Sequence, residues 1–433
     1  MKNQYYLKHL TSIFFLLVIL SVKSISQITL PSTNPSVAGS QDISHSNVYC
    51  AEIYNSGTAH YVANILKNLA SGPLEYYWGS TTNLSSSPLL NSSEVLNYNA
   101  SSSDIVINPK TGNALIAIVE NGQLILEHRV PSGFSYSSTQ AAVTIAGINL
   151  NMVPEKISLE TFGDLYAVLT YVSNNNIYGF LINWNTPINQ QANPPISQLT
   201  SLNPGDAINS FDHTCTHSQT SNGQIILAFS VATASGQAQV WENSIGFNSS
   251  SLTTQSLNQV YSSNFSIPKV RICSPGNLGV LTPNSPSTWN PLYVIGTDRT
   301  VVFDVAGSSG NQIISITSDN TGSSLTQTIT SGACKLEDVS YSSNNQIEIL
   351  WAQNNNSSWT YGNADIAIVS QSLDYFGNLM GPVSVLTKYP GVYQRAKTNG
   401  RFYGKTNSLI YGYFHVTTAN YYYRFNPITA PAF

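Results

Sequence analysis

The stretch ALIAIVENGQLILEHRV, residues 114–130, decides the fold. Two runs rich in apolar and β-branched residues, ALIAIVE and QLILEHRV, flank the pair Asn121 and Gly122. An Asn-Gly pair between two strand-like runs is the strongest short signal of a β-hairpin, because both residues tolerate the positive φ that a two-residue turn needs. We therefore interpret this stretch as two antiparallel strands joined by a tight turn.

Similar apolar runs recur along the chain about every 58 residues. A short strand-like segment precedes each run, another follows it across a turn bearing Gly or Asn, and a fourth, more polar segment ends most units. Four antiparallel strands repeated seven times are typical of a seven-bladed β-propeller. The runs are HYVANIL (60–66), ALIAIVE (114–120), LYAVLTYV (165–172), IILAFSVA (225–232), PLYVIG (291–296), IEILWAQ (347–353) and LIYGYFHV (409–416).

The period and the strand pattern resemble those of β-propellers in general, over residues ~28–433. No family-specific motif accompanies them: the sequence has no G-H…W-D signature of WD40 repeats, no S-x-D-x-G-x-T-W box of the sialidase type and no row of D-x-D-x-D-G calcium loops. We expect an all-β, single-domain propeller at residues 27–433, with four-stranded antiparallel blades. Its units begin near residues 46, 104, 155, 211, 269, 337 and 394.

Two units are irregular. Unit 7 has no convincing fourth strand after NYYYRFNP (420–427), and we expect QITLPS (27–32) to supply it, so that both termini close the ring. Unit 5 is the weakest, because residues 277–291 interrupt its strands and predict a long loop over one face.

Residues 1–26 have the layout of a secretory signal peptide. Lysines precede an apolar run at residues 10–22, and the small residues Ser24 and Ser26 stand three and one positions before the expected new N-terminus, Gln27. This run is shorter than the ~20 residues that a membrane-spanning helix needs. We therefore expect a secreted, extracellular protein (periplasmic in a bacterium) with no membrane insertion after signal removal. An uncleaved anchor is the alternative.

The charge balance argues against nucleic acid as a partner. The chain has 17 Lys and Arg against 21 Asp and Glu, and removal of residues 1–26 takes away three lysines. Nucleic acid binding needs a basic surface that neutralises phosphates, and anionic membranes are disfavoured for the same reason. Charged residues make up 9% of the chain, against ~25% in a typical domain, so amides and hydroxyls are expected to keep the surface soluble.

The segment FDHTCTH, residues 211–217, clusters histidine and cysteine in the predicted first strand of unit 4. Alternation along a strand puts His213, Cys215 and His217 on one side, spread over ~13 Å. One zinc ion holds its ligands at ~2.0–2.3 Å, so a metal site here needs ligands from elsewhere in the fold. A Cys–His nucleophilic pair is a further alternative. We favour polar residues beside a central channel, with no metal and no cofactor.

The four cysteines match no zinc-binding spacing, and export permits disulfides. Cys215 and Cys273 lie in equivalent first strands of adjacent units, where their Cα atoms can approach the ~7 Å limit for a disulfide. We take a Cys215–Cys273 bridge as the candidate. A Cys273–Cys334 bridge and four free thiols, Cys50 included, are the alternatives.

Charged residues cluster where the predicted first strands begin. In a propeller these positions converge on one face around the channel mouth, and rigidly held loops and strand ends commonly bind ligands there. The acidic residues are candidates for binding sugar hydroxyls, and the basic ones for binding a carboxylate or sulfate; a self-neutralised rim of ion pairs is the alternative. The candidate ligand-binding residues are Asp104, Glu155, Lys156, Asp212, His213, Lys269, Arg271, Glu337, Asp338, Arg395 and Lys397.

Tryptophans give a second candidate surface. Trp78, Trp184 and Trp241 recur in the third strands of units 1, 3 and 4. Exposed aromatic rings stack on sugars and anchor interfaces, but such residues more often fill the space between blades, and we favour packing.

Three functional hypotheses follow, since fold alone does not fix function. The first, which we favour, is a secreted, non-catalytic binding or adhesion protein that recognises a carbohydrate or a cell-surface protein through the face around the channel. The second is a secreted carbohydrate-active hydrolase or lyase; a hydrolase needs two carboxyl groups ~5–9.5 Å apart. The third is a self-assembling structural surface protein.

Overall fold

The structure, a computed structural model, consists of β-strands and one short 3-10 helix in the parts of the chain that it describes. These parts are residues 41–43, 47–55, 60–67, 74–81, 92–108, 111, 113–132, 135–136, 141–148, 150, 157–162, 165–218, 221–247, 251–274, 279–282, 285–291, 299–308, 310–319, 323–342, 346–354, 365–390, 393–399, 408–416 and 421–429. No helix within them is long and apolar enough to cross a membrane.

The described strands form seven four-stranded antiparallel sheets, named here sheets 1 to 7 in chain order. Strand β1 (Gln41–Ile43) belongs to sheet 7. Sheet 1 contains β2 (Asn47–Asn55), β3 (His60–Lys67), β4 (Leu74–Thr81) and β5 (Ser92–Leu96). Sheet 2 begins with β6 (Ser102–Ile107), β7 (Ala114–Glu120) and β8 (Gln123–Arg129). A small ribbon of β9 (Pro131–Ser132) and β10 (Ser135–Tyr136) precedes its last strand, β11 (Ala141–Thr144).

Sheets 3 and 4 follow the same order. Sheet 3 contains β12 (Ile157–Phe162), β13 (Tyr166–Ser173), β14 (Asn176–Asn183) and β15 (Ser197–Gln198), with the 3-10 helix Ile188–Gln190 between the last two. Sheet 4 contains β16 (Ala207–Ser218), β17 (Ser221–Ala232), β18 (Ala238–Phe247) and β19 (Leu252–Ser263).

Sheet 5 starts with β20 (Val270–Cys273), and a separate ribbon of β21 (Gly279–Thr282) and β22 (Ser285–Pro291) follows it. Its other strands are β23 (Arg299–Gly307), β24 (Gly310–Ser318) and β25 (Ser324–Gly332). Sheet 6 contains β26 (Cys334–Ser342), β27 (Gln346–Asn354), β28 (Asp365–Leu373) and β29 (Leu379–Pro390). Sheet 7 combines β30 (Tyr393–Asn399), β31 (Ser408–Val416) and β32 (Tyr421–Thr429) with β1.

The hairpin that opened the sequence analysis forms at the expected residues. Strands β7 and β8 pair along their whole length, from Ala114 opposite Arg129 to Glu120 opposite Gln123. Asn121 and Gly122 have φ values of 50° and 78°, as the two-residue type I′ turn requires. Asn174 and Asn175, with φ values of 48° and 59°, make the same kind of turn between β13 and β14.

Strand β7 is apolar throughout because both of its faces are buried. Ile116 and Ile118 point into a cluster shared with sheet 1, whereas Leu115 and Val119 point into a cluster shared with sheet 3. Each is at most 3% exposed, and full burial of such a side chain contributes ~1.5–3 kcal/mol. A strand with cores on both sides needs consecutive apolar residues, which explains the run ALIAIVE.

Successive sheets therefore stack face to face. Further apolar clusters join sheet 3 to sheet 4 and sheet 4 to sheet 5, and the first strands β6, β12, β16, β20 and β26 lie next to one another in that order. The all-β fold of repeated four-stranded antiparallel sheets is confirmed. The number of blades and the closure of the ring stay predictions, because most side chains of sheets 1 and 7 lie outside the described residues.

Two assignments differ from the sequence analysis. In sheet 5 the sequence pattern predicted the run at residues 291–296 as the second strand and residues 300–306 as the third. The strand that pairs with β20 is instead β23, Arg299–Gly307. Pro291 is the last residue of the separate ribbon. Strand β23 is the strand of sheet 5 with a run of buried residues on both faces, as expected of the partner of a first strand. The strand beside β32 is Gln41–Ile43; the expected closing strand, residues 27–32, lies outside the described residues.

Candidate functional site

Aspartates at the predicted rim connect neighbouring first strands. Asp104 on β6 accepts the backbone N–H of Ile105 with Oδ1 at 2.9 Å and that of Leu159, on β12, with Oδ2 at 2.8 Å. The first strands of adjacent sheets are not paired by a backbone ladder. The carboxylate therefore supplies a link that the backbone does not make.

Asp212 repeats this arrangement between sheets 4 and 5. Its Oδ1 accepts the N–H of His213 at 3.0 Å, and its Oδ2 accepts that of Ile272, on β20, at 3.3 Å. Ser158 on β12 also donates to Oδ1 at 3.1 Å. In sheet 6, Oδ1 of Asp338 accepts the N–H of the residue that follows it, at 3.0 Å. All three aspartates thus accept the N–H of the next residue, and Asp104 and Asp212 also link their strand to the neighbouring sheet.

The basic rim residues that the structure describes are paired with acids. Lys269 Nζ lies 3.4 Å from Glu337 Oε2, and Arg271 Nε lies 3.7 Å from Asp338 Oδ1. The Glu337 side chain is buried. These contacts match the self-neutralised alternative at this part of the rim, because each basic group is already close to a carboxylate.

A buried carboxyl, absent from the sequence analysis, adjoins that ion pair. Asp304 on β23 is 1% exposed, and its Oδ1 accepts the N–H of Leu336 at 2.8 Å. Burial raises the pKa of Asp304 to about 7; the Leu336 hydrogen bond and Lys269 oppose this shift, and Glu337 adds to it. Asp304 lies inside an apolar strand, VVFDV, and this interruption is the one signal in the sequence that marks it.

His213 is a buried side chain between sheets 3 and 4. It is 1% exposed, and its Nδ1 lies 2.9 Å from Thr170 Oγ1. Burial lowers the pKa of His213 to about 3, and a backbone contact to Val168 offsets only part of that shift. A ring in this position is neutral and has almost no contact with solvent. The His217 side chain lies outside the described residues, within which no group of three metal-ligating residues occurs.

The expected Cys215–Cys273 disulfide is not formed, because Cys273 is a free, buried thiol. The strand register gives the physical reason. Contacts from Val270 to Ser210 and from Ile272 to Asp212 align Cys273 with His213, which leaves Cys215 two residues away, or ~6.6 Å along the strand. Cys334 is also free and buried, so the Cys273–Cys334 alternative is absent as well.

For four further candidate rim residues the structure describes no side chain. Glu155 and Lys156 lie outside the described residues, and Arg395 and Lys397 lie on β30 with side chains that are not described. Of the eleven rim candidates, the described ones that come together are Lys269 with Glu337 and Arg271 with Asp338, while Asp104 and Asp212 contact the backbone of neighbouring first strands.

A second buried charged cluster was missed by the sequence analysis. Arg129 on β8 is fully buried. It forms ion pairs with Glu127 and with Glu94 of sheet 1, whose Oε2 lies 2.7 Å from Arg129 Nη1. Its Cζ lies 4.7 Å from the centroid of the Tyr76 ring. Burial, followed by the negative charge of Glu127, raises the pKa of Tyr98 to about 12. The signal was available: Glu127 and Arg129 interrupt an apolar strand at alternate positions and so share one face.

The tryptophans separate into two environments. Trp184 packs against the cluster between sheets 2 and 3, with its ring centroid 6.2 Å from that of His128. Trp241, half-buried on β18, packs against the cluster between sheets 3 and 4 and also borders an open groove. The Trp78 side chain lies outside the described residues. Packing, the favoured interpretation, applies to both Trp184 and Trp241.

The groove beside Trp241, which we call the Trp241 groove, has a volume of about 480 Å³. It lies at the edge of sheet 4 where β16 begins and β17 turns into β18, which is the side of the molecule on which the predicted rim lies. Segment 201–206 forms one wall and turn 233–235 another, and the remaining lining residues are Phe229, Val231, Gln239, Trp241 and Leu257.

Comparisons with known proteins show distant likenesses only. No known protein family matches the sequence, and no curated protein matches it. Among solved structures, a neuraminidase-like protein of A/little yellow-shouldered bat/Guatemala is similar at 7% identity and a TM-score of 0.39, covering 93% of this chain and 100% of that one. The WD40 domain of SCAP from fission yeast is similar at 10% identity and a TM-score of 0.40, with coverage of 93% of this chain and 98% of that one. A Hadza microbial sialidase is similar at 8% identity and a TM-score of 0.41, with coverage of 88% of this chain and 65% of that one.

Proposed function

We propose that the chain is a secreted, non-catalytic binding protein that recognises a carbohydrate or a cell-surface protein through the face on which the first strands begin. The observation that carries the proposal is the Trp241 groove, because it combines an aromatic ring, apolar side chains, and amide, hydroxyl and carboxylate groups on that face. Small-molecule sites of ~300–1,000 Å³ commonly combine an apolar lining with a few polar groups.

The rim contacts support binding rather than hydrolysis. Asp104 and Asp212 accept backbone N–H groups of adjacent strands, and Glu337 and Asp338 lie against Lys269 and Arg271. A hydrolase needs one carboxyl free to donate a proton and a second that acts as base or nucleophile. Carboxylates already engaged in holding strands together are poorly suited to either task.

The proposal is tested by applying the purified chain to an array of glycans and to extracts of cell-surface proteins, with and without a chelator. We expect saturable binding that the chelator leaves unchanged, and a ligand that is recovered chemically intact after prolonged incubation. Cleavage of the ligand would favour the carbohydrate-active enzyme instead. Concentration-dependent oligomers without any ligand would favour the self-assembling surface protein.

A further inference from the structure

We infer that the Trp241 groove is a binding site for an uncharged sugar, in which the ring of Trp241 packs against the C–H face of a pyranose. The inference rests on the proposed function and narrows it to one ligand class and one site. It draws on the charge, the chemistry and the rigidity of the groove.

The charge of the lining disfavours anionic ligands. Asp206 is the single ionisable side chain in the groove lining that the structure describes. Proteins bind carboxylate, sulfate and phosphate groups largely through Arg and Lys, and the described lining contains neither. A sialic acid, a uronic acid or a sulfated sugar therefore meets one negative charge and no compensating cation, whereas an uncharged sugar meets no repulsion.

The two sides of the groove match the two kinds of surface on a sugar ring. Trp241 and the buried Phe229 are directly paired residues on the adjacent strands β18 and β17. Leu257, 43% exposed on β19, adds an apolar edge. The indole Nε1 donates to Gln239 Oε1 at 3.0 Å, which fixes the orientation of the ring. Aromatic rings provide large apolar contact area at low entropic cost, and they suit the C–H face of a pyranose.

The polar side is supplied by Asp206 and Asn203. Oδ1 of Asp206 accepts the N–H of Ala234 at 2.9 Å, which turns this carboxylate toward the 233–235 turn and leaves Oδ2 for a sugar hydroxyl. A hydrogen bond from a hydroxyl to a carboxylate is stronger than one between neutral groups. The amide of Asn203, an exposed residue, can both donate and accept.

The walls are held in place before any ligand binds. The N–H of Asp206 donates to the Asn203 carbonyl at 3.1 Å, and that of Gly236 donates to the Thr233 carbonyl at 2.9 Å. Gly205 has a φ of 89°, and a Cβ at this position would lie 3.0 Å from Ala234 Cβ. Because the wall and the turn are already ordered, binding loses little conformational entropy.

The test is calorimetric titration of the full chain with two panels of oligosaccharides. The uncharged panel contains gluco-, manno-, xylo- and chito-oligosaccharides; the acidic panel contains sialyllactose, oligogalacturonate and sulfated oligosaccharides. The two test variants are Trp241→Leu, which keeps an apolar side chain and loses the aromatic face, and Asp206→Asn, which keeps the contact to Ala234 and loses the charge. Matched controls are Trp184→Leu, directly after β14 of sheet 3, and Asp374→Asn, which alters another turn carboxylate that accepts backbone N–H groups.

We expect at least one uncharged oligosaccharide to bind and all acidic ones to bind more weakly. Trp241→Leu should raise its Kd at least about tenfold, as loss of an aromatic anchor does, and Asp206→Asn should raise it severalfold, while both controls leave it unchanged. Preferred binding of acidic sugars, or unchanged affinity in Trp241→Leu, would overturn the inference but not the proposed function. Absence of binding to both panels also overturns the inference, and the proposed function then fails unless a cell-surface protein binds.

Discussion

The carboxylate of Asp104 joins two sheets by accepting the backbone N–H of Leu159 at 2.8 Å. Leu159 is 3% exposed, so its N–H has little access to water. Asp212 and Ile272 repeat the relationship at 3.3 Å. Adjacent first strands, which share no backbone ladder, are thus connected by aspartates at equivalent positions.

Replacement of Asp104 should destabilise the protein without affecting glycan binding. Asp104→Ala leaves the N–H groups of Ile105 and Leu159 without their acceptor, at a cost of ~1–3 kcal/mol for a buried group. Asp104→Asn keeps one oxygen and should lose about half as much. The measurement is the free energy of unfolding in urea. An Ala variant as stable as the unmodified protein, or an Asn variant no better than Ala, would contradict the assigned role.

Loss of Arg129 should be the most damaging of the single charge changes. Arg129→Met leaves the buried carboxylate of Glu127 without its cation, and breaking a buried ion pair in this way costs ~3–5 kcal/mol. The double variant Arg129→Met/Glu127→Leu removes both charges and should recover most of that loss. Denaturant titration of the single and double variants checks this. A double variant no more stable than the single one would show that the charge of Glu127 is not the cause.

Asp304 should make the protein less stable as the pH rises from about 4 to about 7. Its pKa is about 7 in the folded state and ~3.9 when unfolded, so in this interval the folded state binds the extra proton. Stability is then fully present below the unfolded pKa and is lost as the pH rises through the folded one, by at most ~1.4 kcal/mol per pH unit.

The variant Asp304→Asn isolates this effect, because the amide imitates the protonated carboxyl and keeps the acceptor for the Leu336 N–H. Glu348, whose pKa burial also raises to about 7, is present in both proteins and cancels in the comparison. The stability difference between Asn variant and unmodified protein should grow from pH 4 to pH 7. A constant difference over that range would mean that the carboxyl is ionised throughout.

The thiols of Cys273 and Cys334 should resist modification in the folded protein. Both are buried, and burial raises the pKa of each thiol, which disfavours the reactive thiolate. We expect maleimide to label both only after denaturation, as read by mass spectrometry of the peptides. Labelling of Cys273 under native conditions would contradict its placement, and a Cys215–Cys273 disulfide in the peptide map would contradict the register of β16 and β20.

The hairpin and the repeat were predictable from sequence because their signals are local. Asn121 and Gly122 define the turn between β7 and β8, and an apolar run such as ALIAIVE marks a strand with cores on both faces. Sheet 5 was harder, since the ribbon β21–β22 separates β20 from its partner and breaks the period.

The site was less predictable, because sequence shows where a charge lies but not what it contacts. Asp104 and Asp212 both lie on first strands, yet their N–H partners lie 55 and 60 residues further on. In the Trp241 groove, Asp206 contacts Ala234. The first residue lies in the connection before β16 and the second in the turn between β17 and β18. Both segments are irregular, so the sequence repeat does not reveal that they meet. Trp241 itself was noted, but only the fold shows that its ring borders an open space.

Hydrogen exchange of the full chain with and without a bound uncharged oligosaccharide tests the account most directly. The account predicts slower amide exchange in segments 201–206 and 233–241, which line the Trp241 groove, and unchanged exchange in the first strands around Asp104 and Asp338. Protection confined to those first strands, with the groove segments unaffected, would contradict the account and place the ligand at the channel mouth instead.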